Sequence, residues 1–150
     1  SPAPKTILNI EVVRTLLDAG FVVVAAGGGG IAVVQEASGE LSGATAVVDK
    51  DLASSLLARQ LGAEVLVITT GVEKVCLDYG KPGQRALDAM TLAEAKRYLA
   101  QGHFKPGSML PKVQASIEFL EGGGRQAIIT DAEHLAAALA DRSGTRITPQ

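Results

Sequence analysis

A chain of 150 residues, 47% hydrophobic and 20% charged, has the length and apolar content of one domain, long enough to bury roughly 70% of its unfolded surface without staples. A net charge of −2, with no Trp, three Phe and two Tyr, supplies neither a basic footprint nor stacking platforms, which argues against nucleic acid as a partner. The single Cys76 excludes intrachain disulfides and cysteine zinc clusters and suits a reducing compartment.

In chain order, Ile7, Ile10, Val13 and Leu17 recur at helical spacing and Gly20 follows as a C-terminal glycine, so residues 5–19 are expected to form a helix. Phe21 to Ala26 is a continuous β-branched run, the pattern of a strand buried on both faces, and leads into Gly27-Gly28-Gly29-Gly30. That run is too short to cross a bilayer, and Ser1-Pro2-Ala3-Pro4 does not resemble a signal peptide, so a soluble cytoplasmic protein without a membrane partner is expected. Ile31 to Val34 suits a short strand, Ser38-Gly39-Glu40 a turn, and Leu41 to Val48 the return. From Asp51, Leu52, Leu56, Leu57 and Leu61 define a helix closed by Gly62, and Glu64 to Thr69 reads as the next buried strand. One helix between two strands is a βαβ unit, which implies a parallel sheet. Val72 to Tyr79 suits a short strand, and Gly80 to Arg85 a polar loop. Thr91 and Glu94 form a capping box for a helix with Leu92, Ala95 and Leu99 on its buried stripe, ended by Gly102. A further helix starts near Ser108, tolerates Pro111 in its first turn and stops at Gly122-Gly123-Gly124. Gln126 to Ile129 reads as a strand, Thr130 and Glu133 as a second capping box for a helix through Leu139, and Gly144 to Thr148 as a closing strand.

Two stretches carry chemistry. In Asp49-Lys50-Asp51, Asp49 reads as an N-cap, and Lys50 and Asp51 stand beside a helix N-terminus, where anions are favoured. The four glycines let backbone N–H groups approach a ligand, the usual construction of an anion cradle, although a mobile turn has the same composition. Gly27-x-Gly29-x-x-Ala32 also fits a dinucleotide fingerprint, but that fingerprint needs a helix where Ile31 to Val34 is β-branched, so an NAD-binding Rossmann domain is the weaker alternative. Lys112 opposes the dipole of its helix by roughly 0.3–1 kcal/mol, which an anion would offset. A phosphate between Lys50 and Lys112, with Asp51 orienting both ammonium groups, would answer that need; an exposed helix lysine is the competing reading. His103 and His134 read as loop and surface residues, and Cys76 as a small buried hydrophobe.

The order Ala25 to Ile31, then Asp49-Lys50-Asp51-Leu52-Ala53-Ser54, then Val72-Glu73-Lys74-Val75, then Gly107-Ser108-Met109-x-Pro111-Lys112 resembles carbamate kinase, of the amino acid kinase superfamily. The resemblance is to its C-terminal, nucleotide-binding half, with Ser1-Pro2-x-Pro4 similar to a mid-chain segment and the N-terminal half absent. It implies a single domain over residues 1–150, an α/β three-layer α/β/α sandwich with a mainly parallel sheet. It also implies reversible phosphoryl transfer between ATP and carbamate, giving ADP and carbamoyl phosphate, with Mg2+ on the nucleotide and no metal held by protein ligands. Lys50, Asp51 and Lys112 are then the catalytic set, and Gly27, Gly28, Gly29 and Gly30 line the acyl-phosphate side. Thr70, Gly71, Val72, Val75, Tyr79 and Met109 border the nucleotide. Gly71 stands where the family usually has Asp, Cys76 where it has Tyr, and Leu110, bulky beside an expected phosphate, where it has Gly. A homodimer or a separate N-terminal half is the partner arrangement this implies, and a non-catalytic nucleotide-binding module is the alternative function.

Overall fold

The computed structural model describes residues 2–150; Ser1, which opens the segment likened to mid-chain, lies outside them. Helix α1 (Ile10–Asp18) is shorter than the expected 5–19. It ends where glycine predicts: Phe21 N–H donates to Leu16 O and Gly20 N–H to Leu17 O, with Gly20 at φ +86°, a Schellman closure that satisfies two terminal carbonyls. The expected strand over Phe21 to Ala26 does not form. Those residues find no ladder partner among the described residues, and Phe21, Val22 and Val24 are 61%, 96% and 95% exposed. A continuous apolar run encodes burial, but the ladder also requires a neighbouring chain on its open side.

A two-stranded hairpin follows, β1 (Val33–Gln35) against β2 (Leu41–Gly43), turning at Ser38 to Glu40 as expected. Helix α2 (Lys50–Leu61) is capped by Asp49 and closed by Gly62 in the left-handed conformation, φ +71°. Strand β3 (Val65–Thr70) leads into a small hairpin of β4 (Cys76–Leu77) and β5 (Arg85–Ala86). Strand β6 (Ala89–Thr91) feeds α3 (Leu92–Ala100), whose capping box forms as expected between Thr91 and Glu94. Helix α4 (Met109–Glu121), with Pro111 in its first turn, precedes β7 (Gln126–Asp131), α5 (Leu135–Leu139) and β8 (Thr145–Thr148).

The central sheet has the order β3-β7-β8-β6 and is mixed: β3 and β7 are parallel, β7 and β8 antiparallel, β8 and β6 parallel. Two of its three pairings are parallel, in keeping with a mainly parallel sheet, but the βαβ unit expected around α2 does not form, because β2 pairs only with β1 in a separate two-stranded sheet. The parallel pairing runs from Val65↔Gln126 to Thr70↔Asp131, and the crossover between these strands contains α3 and α4. The reversal at β8 arises because the short α5 and the Ser143–Gly144 turn bring the chain straight back along β7. Leu66, Ile68, Ala127, Ile129 and Ile147 share one face of the sheet and join Val113, Ile117, Phe119 and Leu120 of α4 in one core. The second expected capping box is also corrected. Thr130 is the fifth residue of β7, fully buried, and Asp131 closes the turn into α5 by accepting His134 N–H at 2.8 Å.

Candidate active site

The site is built where α2 and α4 start side by side. Asp49 Oδ1 accepts the N–H groups of Asp51 at 2.8 Å and Leu52 at 3.2 Å, so the charge cluster begins a helix at a defined phase. That phase turns Asp51 and Ser55, one turn apart, toward α4 and leaves Lys50 exposed. Lys112 Nζ donates to Asp51 Oδ2 at 3.0 Å, and Ser55 Oγ donates to Ala115 O at 2.8 Å. With Lys112 8% and Asp51 6% exposed, the reading of Lys112 as an exposed lysine is excluded. The anion that offsets its position in the first turns of α4 is the Asp51 carboxylate. Among the described residues Lys50 makes no ion pair, so the structure joins two of the three expected catalytic residues and leaves Lys50 at the rim.

Gly27 to Gly30 form a loop with Ala26, Gly27, Gly29 and Gly30 all at positive φ. At Gly29 the reason is contact: a Cβ there would lie 2.1 Å from Val48 O, so only glycine lets the loop rest on the residue before the α2 cap. Gly27 N–H and Gly29 N–H donate within the loop, to Ala25 O and Ala26 O at 2.8 Å each. The N–H groups of Gly28 and Gly30 have no acceptor among the described residues. No helix follows the glycines; β1 begins at Val33. The Rossmann alternative therefore fails on the element its fingerprint requires.

Beside this seam lies a cleft at the C-terminal end of β3. One wall is Thr70, Gly71, Val72, Lys74, Cys76 and Tyr79, and the other is His103 to Lys105 with Ser108 and Met109. Met109 precedes Lys112 by three residues on α4, so the cleft and the ion pair sit one helical turn apart. Five of the six residues expected around a nucleotide line the cleft, whereas Val75 is fully buried in the core between Lys74 and Cys76. The alternation of an extended segment sends Val75 inward and its neighbours to the cleft. Leu110, expected beside phosphate, packs against the core instead. The wall from His103 to Lys105 was missed because it is irregular. Its only advance sign was a His, an aromatic and a Lys between Gly102 and Gly107 just before a helix start.

Charge around the cleft is paired. Lys105 Nζ lies 5.8 Å from the Tyr79 ring centroid, and His103 Nδ1 is 3.3 Å from Asp78 Oδ1. Lys74 Nζ lies 2.8 Å from Asp88 Oδ1, whose hydrogen bond and charge raise the ammonium pKa while Lys74 lowers that of Asp88. The Cys76 thiol is partly exposed and donates weakly to Lys74 O at 3.7 Å.

A Gly-rich loop, a lysine–aspartate pair at facing helix starts and a cleft beyond a strand's C-terminal end thus stand together on an α/β scaffold. The chain belongs to the amino acid kinase family, whose model matches residues 1–131. It is 54% identical over 147 residues to the carbamate kinase-like protein YahI of Escherichia coli, covering 98% of this chain and 46% of that protein. It is 44% identical to the carbamate kinase of Thermococcus kodakarensis, again with 98% and 46% coverage. Among solved structures, the carbamate kinase of Giardia lamblia bound to AMP-PNP superposes with a TM-score of 0.95 at 42% identity, over 99% of this chain and 46% of that one. A protein of Aeropyrum pernix matches all of this chain, with a TM-score of 0.92 and 45% identity. These findings correct the expectation of a likeness, and a fold, confined to a C-terminal nucleotide-binding half: the amino-acid-kinase-like α/β fold extends over the whole of this chain. The chain spans about half the length of the curated relatives it matches. Among the described residues no helix is long and apolar enough to cross a membrane.

Proposed function

We propose that the chain binds ATP or ADP in the cleft between Thr70–Tyr79 and His103–Met109 and serves reversible phosphoryl transfer between ATP and carbamate, giving ADP and carbamoyl phosphate. The observation that carries this reading is the buried Lys112–Asp51 pair, 3.0 Å long and one turn from Met109 at the cleft. Phosphoryl transfer asks little covalent chemistry of the protein and much positioned positive charge. Asp51 holds the Lys112 ammonium in place before substrate arrives, so no reorganisation is needed as charge builds on the transferring oxygens. Lys50, exposed on the neighbouring helix start, supplies a second cation that folds over the phosphoryl group, and the unpaired Gly28 and Gly30 N–H groups donate to the acyl-phosphate oxygens. Asp51 is committed to Lys112, so magnesium enters as part of the nucleotide's phosphate chain. Support also comes from the AMP-PNP bound by the Giardia lamblia carbamate kinase that shares this fold.

The test is calorimetry with ADP and Mg2+, beside a coupled assay for ATP formed from carbamoyl phosphate. The single thiol gives a third readout, since bound nucleotide shields Cys76 from alkylation. Absence of both binding and shielding refutes the nucleotide site. Binding without ATP formation supports a second reading, a nucleotide-binding module that is not catalytic by itself. Its supporting observation is an uncovered apolar face. Leu8 just before α1, Val12 and Leu16 on it, and Phe21, Val22, Val24 and Ile31 around the glycine loop are all exposed, apolar surface of the kind that marks an interface. In this reading a polypeptide supplying the family length that these residues do not span covers that face and completes the acceptor side. A homodimer is the competing arrangement, and sedimentation of the isolated chain distinguishes them.

A further inference from the structure

We infer that Thr145 and Ser143, remote in sequence from the cleft and not lining it, are positioning residues that hold its Gly71–Cys76 wall in register; the inference rests on the nucleotide reading above for its functional consequence. The wall follows β3 as an irregular strap, and such straps drift unless their backbone groups are tied down. Two ties come from one short segment 70 residues further on. Val75 N–H donates to Thr145 Oγ1 at 2.8 Å, and that hydroxyl donates onward to Leu87 O. Leu87 N–H returns to Val75 O at 2.8 Å, so both backbone groups of Val75 are satisfied by this arrangement. Two residues earlier, Ser143 Oγ donates to Glu73 Oε1 at 2.6 Å.

Placement makes these ties consequential. Thr145 and Val75 are both fully buried, so water cannot replace the hydroxyl as acceptor or donor. Thr145 is anchored in its turn by the β7–β8 ladder, where it pairs with Ile129. Gly144, at φ +74° and with a would-be Cβ 3.1 Å from Ile129 O, lets the chain turn tightly enough to present Ser143 and Thr145 toward the strap. Because the strap alternates, fixing Val75 inward fixes Lys74 and Cys76 outward, on the cleft. The central sheet thus sets the position of the wall through two hydroxyls.

The test compares Thr145→Val, Thr145→Ser and Ser143→Ala in this chain. Thr145→Val keeps the shape and removes the hydroxyl. We expect it to speed Val75 amide exchange and Cys76 alkylation in the absence of nucleotide, and to weaken ADP binding by about tenfold, the factor set by one buried group left unpaired. Thr145→Ser, which keeps the hydroxyl, should restore all three readouts to wild type. Ser143→Ala keeps the question decidable if Thr145→Val fails to fold; it should loosen the Glu73 end, with ADP weakened about threefold. Unchanged Val75 exchange and Cys76 reactivity in both hydroxyl-deleting variants overturns the inference, as does a Thr145→Ser protein as impaired as Thr145→Val. If the wild-type chain binds no ADP, the nucleotide reading falls by itself, while exchange and alkylation still decide whether the hydroxyls hold the strap.

Discussion

Replacing Asp51 by Asn keeps the side-chain shape and removes the charge that faces Lys112 Nζ at 3.0 Å. Asp51 is 6% and Lys112 8% exposed, so the ammonium left behind has little water to turn to. Breaking such a pair on one side costs about 3–5 kcal/mol. For a chain of this length each kcal/mol moves Tm by about 2–4 °C, which places the variant about 6–20 °C below wild type. Lys112→Met should fall by a similar amount, since it strands the carboxylate instead. The double variant Asp51→Leu, Lys112→Met should recover most of the loss, because it removes the desolvation penalty together with the attraction. It should still lack turnover in an enzyme that contains this chain, since the charges it deletes are those proposed for phosphoryl transfer. Urea denaturation of wild type, the single variants Asp51→Leu and Lys112→Met and their double variant, followed by circular dichroism and assembled as a double-mutant cycle, measures the coupling, with Asp51→Asn measured beside them. Single variants within about 0.5 kcal/mol of wild type, or a double variant at the sum of the singles, would refute the buried pair as described.

Lys50→Ala separates chemistry from stability: the residue is exposed, so its denaturation midpoint should match wild type, while turnover in an enzyme that contains this chain should fall on the order of a hundredfold if the proposed transfer holds. Wild-type turnover would remove Lys50 from the mechanism. Gly29→Ala forces a Cβ to 2.1 Å from Val48 O and should cost about 2 kcal/mol or more in urea denaturation. Gly28→Ala, with nothing within 4 Å, should stay within about 0.5 kcal/mol. At the α5 turn, the Asp131 hydrogen bond and charge raise the His134 pKa, and the His134 backbone and ring lower that of Asp131. The His134 contribution to stability is therefore complete below histidine's ordinary 6.5 and lost as pH rises through its raised value. That of Asp131 is complete above the ordinary 3.8 and lost as pH falls through its lowered value. His134→Gln should flatten the alkaline limb of a stability–pH curve, and an unchanged limb would show that the pair does not couple to folding.

Local rules made much of the molecule legible in advance. The Asp49 cap, the Thr91–Glu94 capping box, the glycines closing α1 and α2, and the tolerance of Pro111 each depend on residues within one or two turns, and all were readable from short stretches. The order of motifs likewise pointed to the family. Thr130 shows the limit of such rules. Its spacing to Glu133 satisfies a capping box, yet strand β7 claims it, because pairing with Thr69 of β3 extends one residue further than the motif allows.

The sequence by itself determined the starts of α2 and α3, the stops of α1 and α2, the glycine loop and the identity of the charged residues, since each follows from local preference. Only the tertiary structure decided which of those charges meet. Asp51 and Lys112 are 61 residues apart and join because α2 and α4 pack with small residues at their seam, leaving room for a buried pair. Packing likewise turned Val75 inward and drew the His103–Lys105 loop across the cleft. It also left Phe21 to Ala26 unpaired, because apolar composition states a demand for burial while only a neighbouring strand can meet it.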